Sequence, residues 1–183
     1  MAKKISVFGG SAPQPGSSPY QEAYQLGRLL GGAGMTVLTG GYTGTMEATS
    51  RGASEAGGHV IGVTSDEIEA WRPIGPNAWV AEEWRRQTLN ERLNTLVASC
   101  DAAIALPGGI GTLLEIALTW NHLVIDVLEP KPLILLGQGW HTVMETFFAE
   151  FGDYVSIDDR QYLAFAPNPQ AALELLTHFL GLA

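Results

Sequence analysis

The chain has 183 residues, of which 46% are hydrophobic and 16% charged, with 22 glycines. That length buries a sizeable core and that composition describes a compact globule, which excludes a disordered or fibrous chain. Ten basic against nineteen acidic residues leave a net charge of −9, which opposes binding to nucleic acid or an anionic membrane but remains compatible with a small phosphate ester held by backbone amides.

Lys3 and Lys4 precede only the short apolar run Ile5 to Phe8, so neither a secretory leader nor a membrane span is drawn there, and the default compartment is the cytoplasm. That run reads as a strand ending in Gly9-Gly10-Ser11. A Pro/Gly/Ser loop to Pro19 and a helical pattern from Tyr20 to Leu30 complete a first β-loop-α unit. Met35 to Leu38 starts a second unit, with a turn at Thr39 to Gly44 and a small-residue helix from Thr45 to Glu55. His59 to Val63 is a third strand. The stretch Thr64 to Asn77 has no clear period and is expected to be a surface loop with a short helical piece, lining a ligand pocket. Trp79 to Ala81 is expected as a fourth strand and Glu83 to Cys100 as one long helix with Leu89, Leu93, Leu96 and Val97 on one face. Asp101 to Leu106 and Lys131 to Leu136 supply two more strands, and Trp140 to Phe151 and Pro169 to Phe179 the last helices.

Strands alternating with helices imply one α/β domain over residues 1–183. The fold expected is a single Rossmann-like, doubly wound parallel sheet of about six or seven strands with helices on both faces. Ligands of such sheets lie beyond the carboxyl ends of the strands. The most informative stretch is Pro107-Gly108-Gly109-Ile110-Gly111-Thr112, which joins the fifth strand to a helical pattern from Leu113 to Val124. Its glycines allow close backbone approach, and the helix beyond adds unpaired amides and the positive end of its dipole, which suit a phosphate. Glu115 is expected in the first turn of that helix, ionised by its N-terminus. Neither this turn nor Gly40-Gly41-Tyr42-Thr43-Gly44 has the GxGxxG spacing of dinucleotide-binding folds, and glycines at such places serve either tight turns or phosphate cradles.

Placed on the long helix, Arg92 and Arg85 both lean over the sheet edge, as ligand contacts or as snorkelling surface arginines paired with an acid such as Glu91. Cys100 reads as a small buried hydrophobe. The four histidines show no metal-ligand spacing, and the five tryptophans read as core or interface anchors. The segment with Ile116, Ala117, Leu118, Trp120, Leu123 and Val124 is apolar nearly all round, which places part of it in an expected homodimer interface.

Pro107 to Glu115 forms PGGxGTxxE in full. Thr39 to Glu47 retains Gly40, Gly41, Gly44 and Met46 of a GGGxxGLMG pattern, with Thr39 and Glu47 at two of its glycine positions. On these residues the chain, from roughly Ile5 to Phe148, resembles the lonely guy family, long labelled lysine decarboxylase-like. The resemblance implies a Rossmann-like homodimer that hydrolyses the N-glycosidic bond of a nucleoside 5′-monophosphate, AMP or a cytokinin riboside monophosphate. The products are free base and ribose 5-phosphate, and lysine decarboxylation is not implied. It further implies a catalytic pair, Arg92 in the counterpart of an MHxRK stretch and Glu115. Asn90 and Leu93 stand where that stretch has histidine and lysine, removing one phosphate or substrate contact, and Glu47 adds negative charge near the first cradle. Substrate and phosphate contacts fall on Gly10, Ser11, Gly40, Gly41, Gly44, Met46, Gly108, Gly109, Gly111 and Thr112, with no metal or cofactor. A carboxylate at Glu115 would stabilise an oxocarbenium-like state or activate water, and Arg92 would hold the substrate by charge-assisted hydrogen bonds. A second resemblance, to molybdenum-cofactor carrier proteins, rests on Gly40 to Ala48 as GGxxGxMEA and implies a binding module without catalysis.

Overall fold

The computed structural model describes residues 2–182. Seven parallel strands form one sheet: β1 (Lys4–Phe8), β2 (Thr36–Thr39), β3 (Val60–Ser65), β4 (Glu82–Arg86), β5 (Ala102–Ala105), β6 (Leu133–Leu136) and β7 (Leu163–Ala166). Their order, β4-β3-β2-β1-β5-β6-β7, reverses direction between β1 and β5. The loops leaving those two strands therefore diverge to opposite sides and open a crevice at their carboxyl ends, where doubly wound sheets take their ligands.

Strand side chains alternate between two apolar layers. Ile5 and Val7 pack with α1 (Ser18–Gly32), α2 (Thr45–Glu55) and α8 (Pro169–Phe179), where Leu26, Leu30, Ala53 and Leu176 are buried. Phe8 and Leu38 face the other layer, made by α4 (Leu89–Ala98), α5 (Ile110–Val124) and α6 (Gln138–Phe151) through Leu96, Ile116, Leu123 and Trp140. Cys100 is buried in this second layer, as a small hydrophobe. The short helix α3 (Asp66–Trp71) contacts β3 and α4, and α7 (Ile157–Arg160) accepts from Trp120 Nε1 of α5 at Asp159 O, 2.7 Å.

Three expectations need correction. The helix read from Glu83 to Cys100 divides into β4 and α4, and β4 replaces the strand expected at Trp79 to Ala81. Thr88 and Glu91 form a reciprocal capping box, Thr88 Oγ1 accepting from Glu91 N and Glu91 Oε2 from Thr88 N, so the helix cannot begin earlier. The charged run before it pairs Glu82 to Arg86 with Ile61 to Ser65, as an edge strand whose charges discourage further pairing. Strand β7, a four-residue edge strand, lay unmarked in the sequence. Helix α5 begins at Ile110 instead of Leu113, which moves Glu115 from the first turn into the second.

Candidate functional site

The crevice beyond β1 and β5 is a cavity of about 540 Å³, within the usual range for small-molecule sites. One wall is the turn from Pro107 to Gly111, where Gly109 caps α5 with backbone alone and leaves the first-turn amides open to the cavity. Gly10 and Ser11, from the turn after β1, stand beside it. A methyl group on Gly10 would lie 3.5 Å from the Cα of Gly108, so the two turns are in backbone contact. Around Gly109 and Gly111 no protein atom lies within 4 Å of where a Cβ would be, so the space these glycines leave opens on the cavity. Thr112 is buried at the same wall, its hydroxyl against Gly108.

The floor is made by Arg92 and Glu115, 6% and 7% exposed. Residue Arg92 reaches from α4 over the ends of β2 and β3. Its Nε donates to Val63 O at 2.8 Å and its Nη2 to Gly40 O at 3.2 Å, while Nη1 stands 3.9 Å from Glu115 Oε1. The Tyr42 ring lies beneath its guanidinium at 5.7 Å. Burial pushes the Glu115 carboxyl up to about 7, the Arg92 charge offsetting only part of that, and burial likewise lowers the pKa of Arg92. The expectation of an ionised Glu115 in the field of a helix N-terminus is thereby corrected. The second turn is too deep for the unpaired amides to dominate, and desolvation prevails.

Of the residues read from the glycine pattern after β2, Met46 lines the cavity, whereas Gly40, Gly41 and Gly44 are buried and take no part in its lining. A methyl group on Gly40 would overlap Arg92 Nη2, and Gly44, at φ +73°, has no room for one against Gly10 O. These glycines seat the arginine and the neighbouring turn. Glu47 is absent from the cavity wall, and its Oε1 accepts from Tyr20 OH at 3.4 Å, toward α1. Leu93 lines the cavity with an apolar surface. Arg85 departs from expectation: it lies on β4, paired with Asp66 at 2.7 Å and Glu69 at 2.8 Å, and takes no part in the site. Arg92 is not paired with Glu91, which serves the capping box instead.

The stretch Thr64 to Asn77 does line the pocket, through Ile68, Trp71 and Arg72 of the α3 region. Of the two alternatives read for the tryptophans, core or interface anchors, Trp71, 80% exposed on the rim, departs from the first. The wall is held by Ser65 Oγ capping Ile68 N at 3.4 Å, by Tyr42 OH accepting from Ser65 N at 2.9 Å, and by the Arg85 pairs. An ST-type cap at Ser65 followed by three acids was the one sequence signal for α3.

The SLOG cluster4 family model matches residues 2–157. A probable cytokinin riboside 5′-monophosphate phosphoribohydrolase of Oryza sativa subsp. japonica is 32% identical over 184 residues, covering 97% of this chain and 73% of the relative. A cytokinin riboside 5′-monophosphate phosphoribohydrolase of Rhodococcoides fascians is 33% identical over 137 residues, 73% of this chain and 67% of that protein. Among solved structures, the molybdenum cofactor binding protein of Rippkaea orientalis superposes with a TM-score of 0.78 at 29% identity, over 98% of each chain. The molybdenum cofactor carrier protein of Chlamydomonas reinhardtii shares the fold, with a TM-score of 0.75 at 24% identity over 99% of each chain. With its complete PGGxGTxxE turn and the family match over most of its length, the chain belongs to the lonely guy family, in SLOG cluster4.

Proposed function

We propose that the protein is a nucleoside 5′-monophosphate phosphoribohydrolase. The observation that carries this reading is the buried Arg92–Glu115 pair at the floor of a cavity whose adjoining wall is an uncapped helix N-terminus. The phosphate binds the amides from Gly109 to Thr112, beside Gly10, Ser11 and Gly108. The ribose then lies over Glu115. Water attacks C1′ as the N-glycosidic bond breaks; the bonding pair leaves with the base nitrogen, which takes a proton from solvent, and the carboxylate of Glu115 accepts the proton lost by the attacking water and returns it to solvent. A carboxyl whose pKa is about 7 suits a base at neutral pH. Two donors of Arg92 are committed to backbone carbonyls, so its part is a fixed positive charge beside the carboxylate and the developing charge of the substrate.

The test is chromatography of products from a panel of purine nucleoside 5′-monophosphates, including AMP and N6-isopentenyl AMP, with Glu115→Gln as control. Base and ribose 5-phosphate from the wild type are expected, with turnover reduced about 10³-fold in the variant. Equal turnover by the two would remove Glu115 from its role. A second reading, a carrier of a pterin cofactor, is favoured by the likeness to the Rippkaea orientalis protein over both full chains and by Gly40 to Ala48. It requires pterin retention or uptake, with Glu115→Gln without effect.

The working unit we propose is a cytoplasmic homodimer. Leu113 and Leu114 on α5 and Val143, Phe147 and Phe151 on α6 are exposed apolar side chains, and Trp120 of α5 packs on Phe147 at 6.2 Å. Light scattering at micromolar concentration should give twice the chain mass, and Phe147→Glu should reduce it to one.

A further inference from the structure

Resting on the phosphoribohydrolase reading, we infer that Thr45 is a positioning residue: it aims the backbone amides of the turn after β1 at the substrate phosphate, which is then held from two sides, by this turn and by the start of α5. Thr45 takes no part in the cavity lining. It is buried as the first residue of α2 and gives two donors to one acceptor, its N bonding Gly10 O at 2.9 Å and its Oγ1 the same oxygen at 3.1 Å. The N-cap of α2, Gly44, has no side chain, so a carbonyl from a distant turn satisfies this helix start in place of a capping residue.

The planar peptide carries that constraint to the cavity. None of the peptide bonds is cis among the described residues, so the N–H of Ser11 lies antiparallel to the C=O of Gly10. Gly10 O is directed at α2, and Ser11 N–H is directed away from it, toward the cavity that Gly10, Ser11 and Ala12 line. The next peptide repeats the arrangement: Thr43 Oγ1 donates to Ser11 O at 3.3 Å, which turns Ala12 N–H likewise. Among the described residues the amides of Ser11 and Ala12 donate to no backbone carbonyl. Successive free N–H groups make an anion-binding concavity. This one adjoins the other turn, since a Cβ on Gly108 would lie 3.1 Å from Gly10 N.

Gly9 is fitted to the same hydroxyl. A Cβ there would lie 2.2 Å from Thr45 Oγ1, although the φ of Gly9 is not in the positive range that favours glycine. The GGGxxGLMG pattern has leucine at the place of Thr45, so the hydroxyl bond is a departure of this chain from that pattern.

The test is calorimetric binding of ribose 5-phosphate, a product of the proposed reaction, to the wild type, Thr45→Ala, Thr45→Ser, Gly9→Ala and the double variant Gly9→Ala, Thr45→Ala. Thr45→Ala should weaken binding about fivefold, and Thr45→Ser, which restores the donor, should stay within about twofold of the wild type. Gly9→Ala should weaken it about tenfold alone but no more than about twofold further on Thr45→Ala, because the oxygen that the new methyl displaces is gone. With AMP as substrate, KM should rise in step with these losses while kcat stays within about twofold, since Arg92 and Glu115 are untouched. The inference is overturned by a Thr45→Ala protein that binds as the wild type does, by equal losses in Thr45→Ala and Thr45→Ser, by additive effects at Gly9 and Thr45, or by a wild type that does not bind ribose 5-phosphate. Base release without the binding pattern removes the positioning role and leaves the hydrolase reading standing; the binding pattern without base release does the reverse.

Discussion

Two glycine turns, after β2 and after β5, look alike as strings and do different work. The turn from Gly40 to Gly44 is buried, and its glycines are required by the protein: one makes room for the Arg92 guanidinium, and others hold positive φ angles against neighbouring backbone. The turn from Pro107 to Gly111 is open, and the places where Gly109 and Gly111 lack a side chain are empty of protein. A glycine whose missing Cβ would meet its own chain is there for packing. One whose missing Cβ would meet nothing, on the wall of a cavity, leaves room for a ligand.

The sharpest way to break this contrast is Gly40→Ala. The added methyl displaces the Arg92 guanidinium, so both function and fold should suffer: base release falls about 100-fold and stability by about 1–3 kcal/mol, read by single-turnover assay and urea unfolding. The floor that this turn supports also sets a pH dependence. Glu115 has a folded-state pKa of about 7 against an ordinary 4.5, so the folded protein holds the proton more tightly than the unfolded chain. Stability should therefore fall as pH rises from about 4.5 to 7, by on the order of 3 kcal/mol, and the loss should vanish in Glu115→Gln. In the proposed mechanism the ionised carboxylate is the working form, so kcat/KM should rise with pH and level off above about 7.

The open turn should respond in the opposite sense to the buried one. Gly109, at φ −96°, accepts an alanine without strain, so Gly109→Ala should leave stability within about 0.5 kcal/mol while weakening nucleotide binding about tenfold by calorimetry. Thermal unfolding equal to that of Gly40→Ala would erase the distinction. The smallest effect expected is that of Thr88→Ala, which removes the cap of the helix that carries Arg92. Stability should drop by about 1 kcal/mol in urea unfolding, with a modest loss of activity.

Much of this was legible in one dimension because it rests on local rules. The alternation of apolar runs and helical patterns gave the parallel sheet, and PGGxGTxxE located an uncapped helix start with an acid downstream. The errors arose where a tertiary neighbour outweighed a local pattern. Glu82 to Arg86 read as helix because its strand character comes only from pairing with β3. Trp71 read as a core or interface anchor because nothing in its neighbours along the chain says that α3 stops at a cavity.

The sequence alone therefore determined the fold class, the phosphate-suited turn and the pairing of Arg92 with Glu115 as candidates, since each follows from periodicity, glycine spacing or a family pattern. Only the tertiary structure decided which glycines face the cavity and which face the protein, and that Arg85 is spent on Asp66 and Glu69. It alone also decided that Glu115 is held close to neutrality. Space, desolvation and charge partnership are properties of atoms brought together from distant parts of the chain, and no local pattern encodes them.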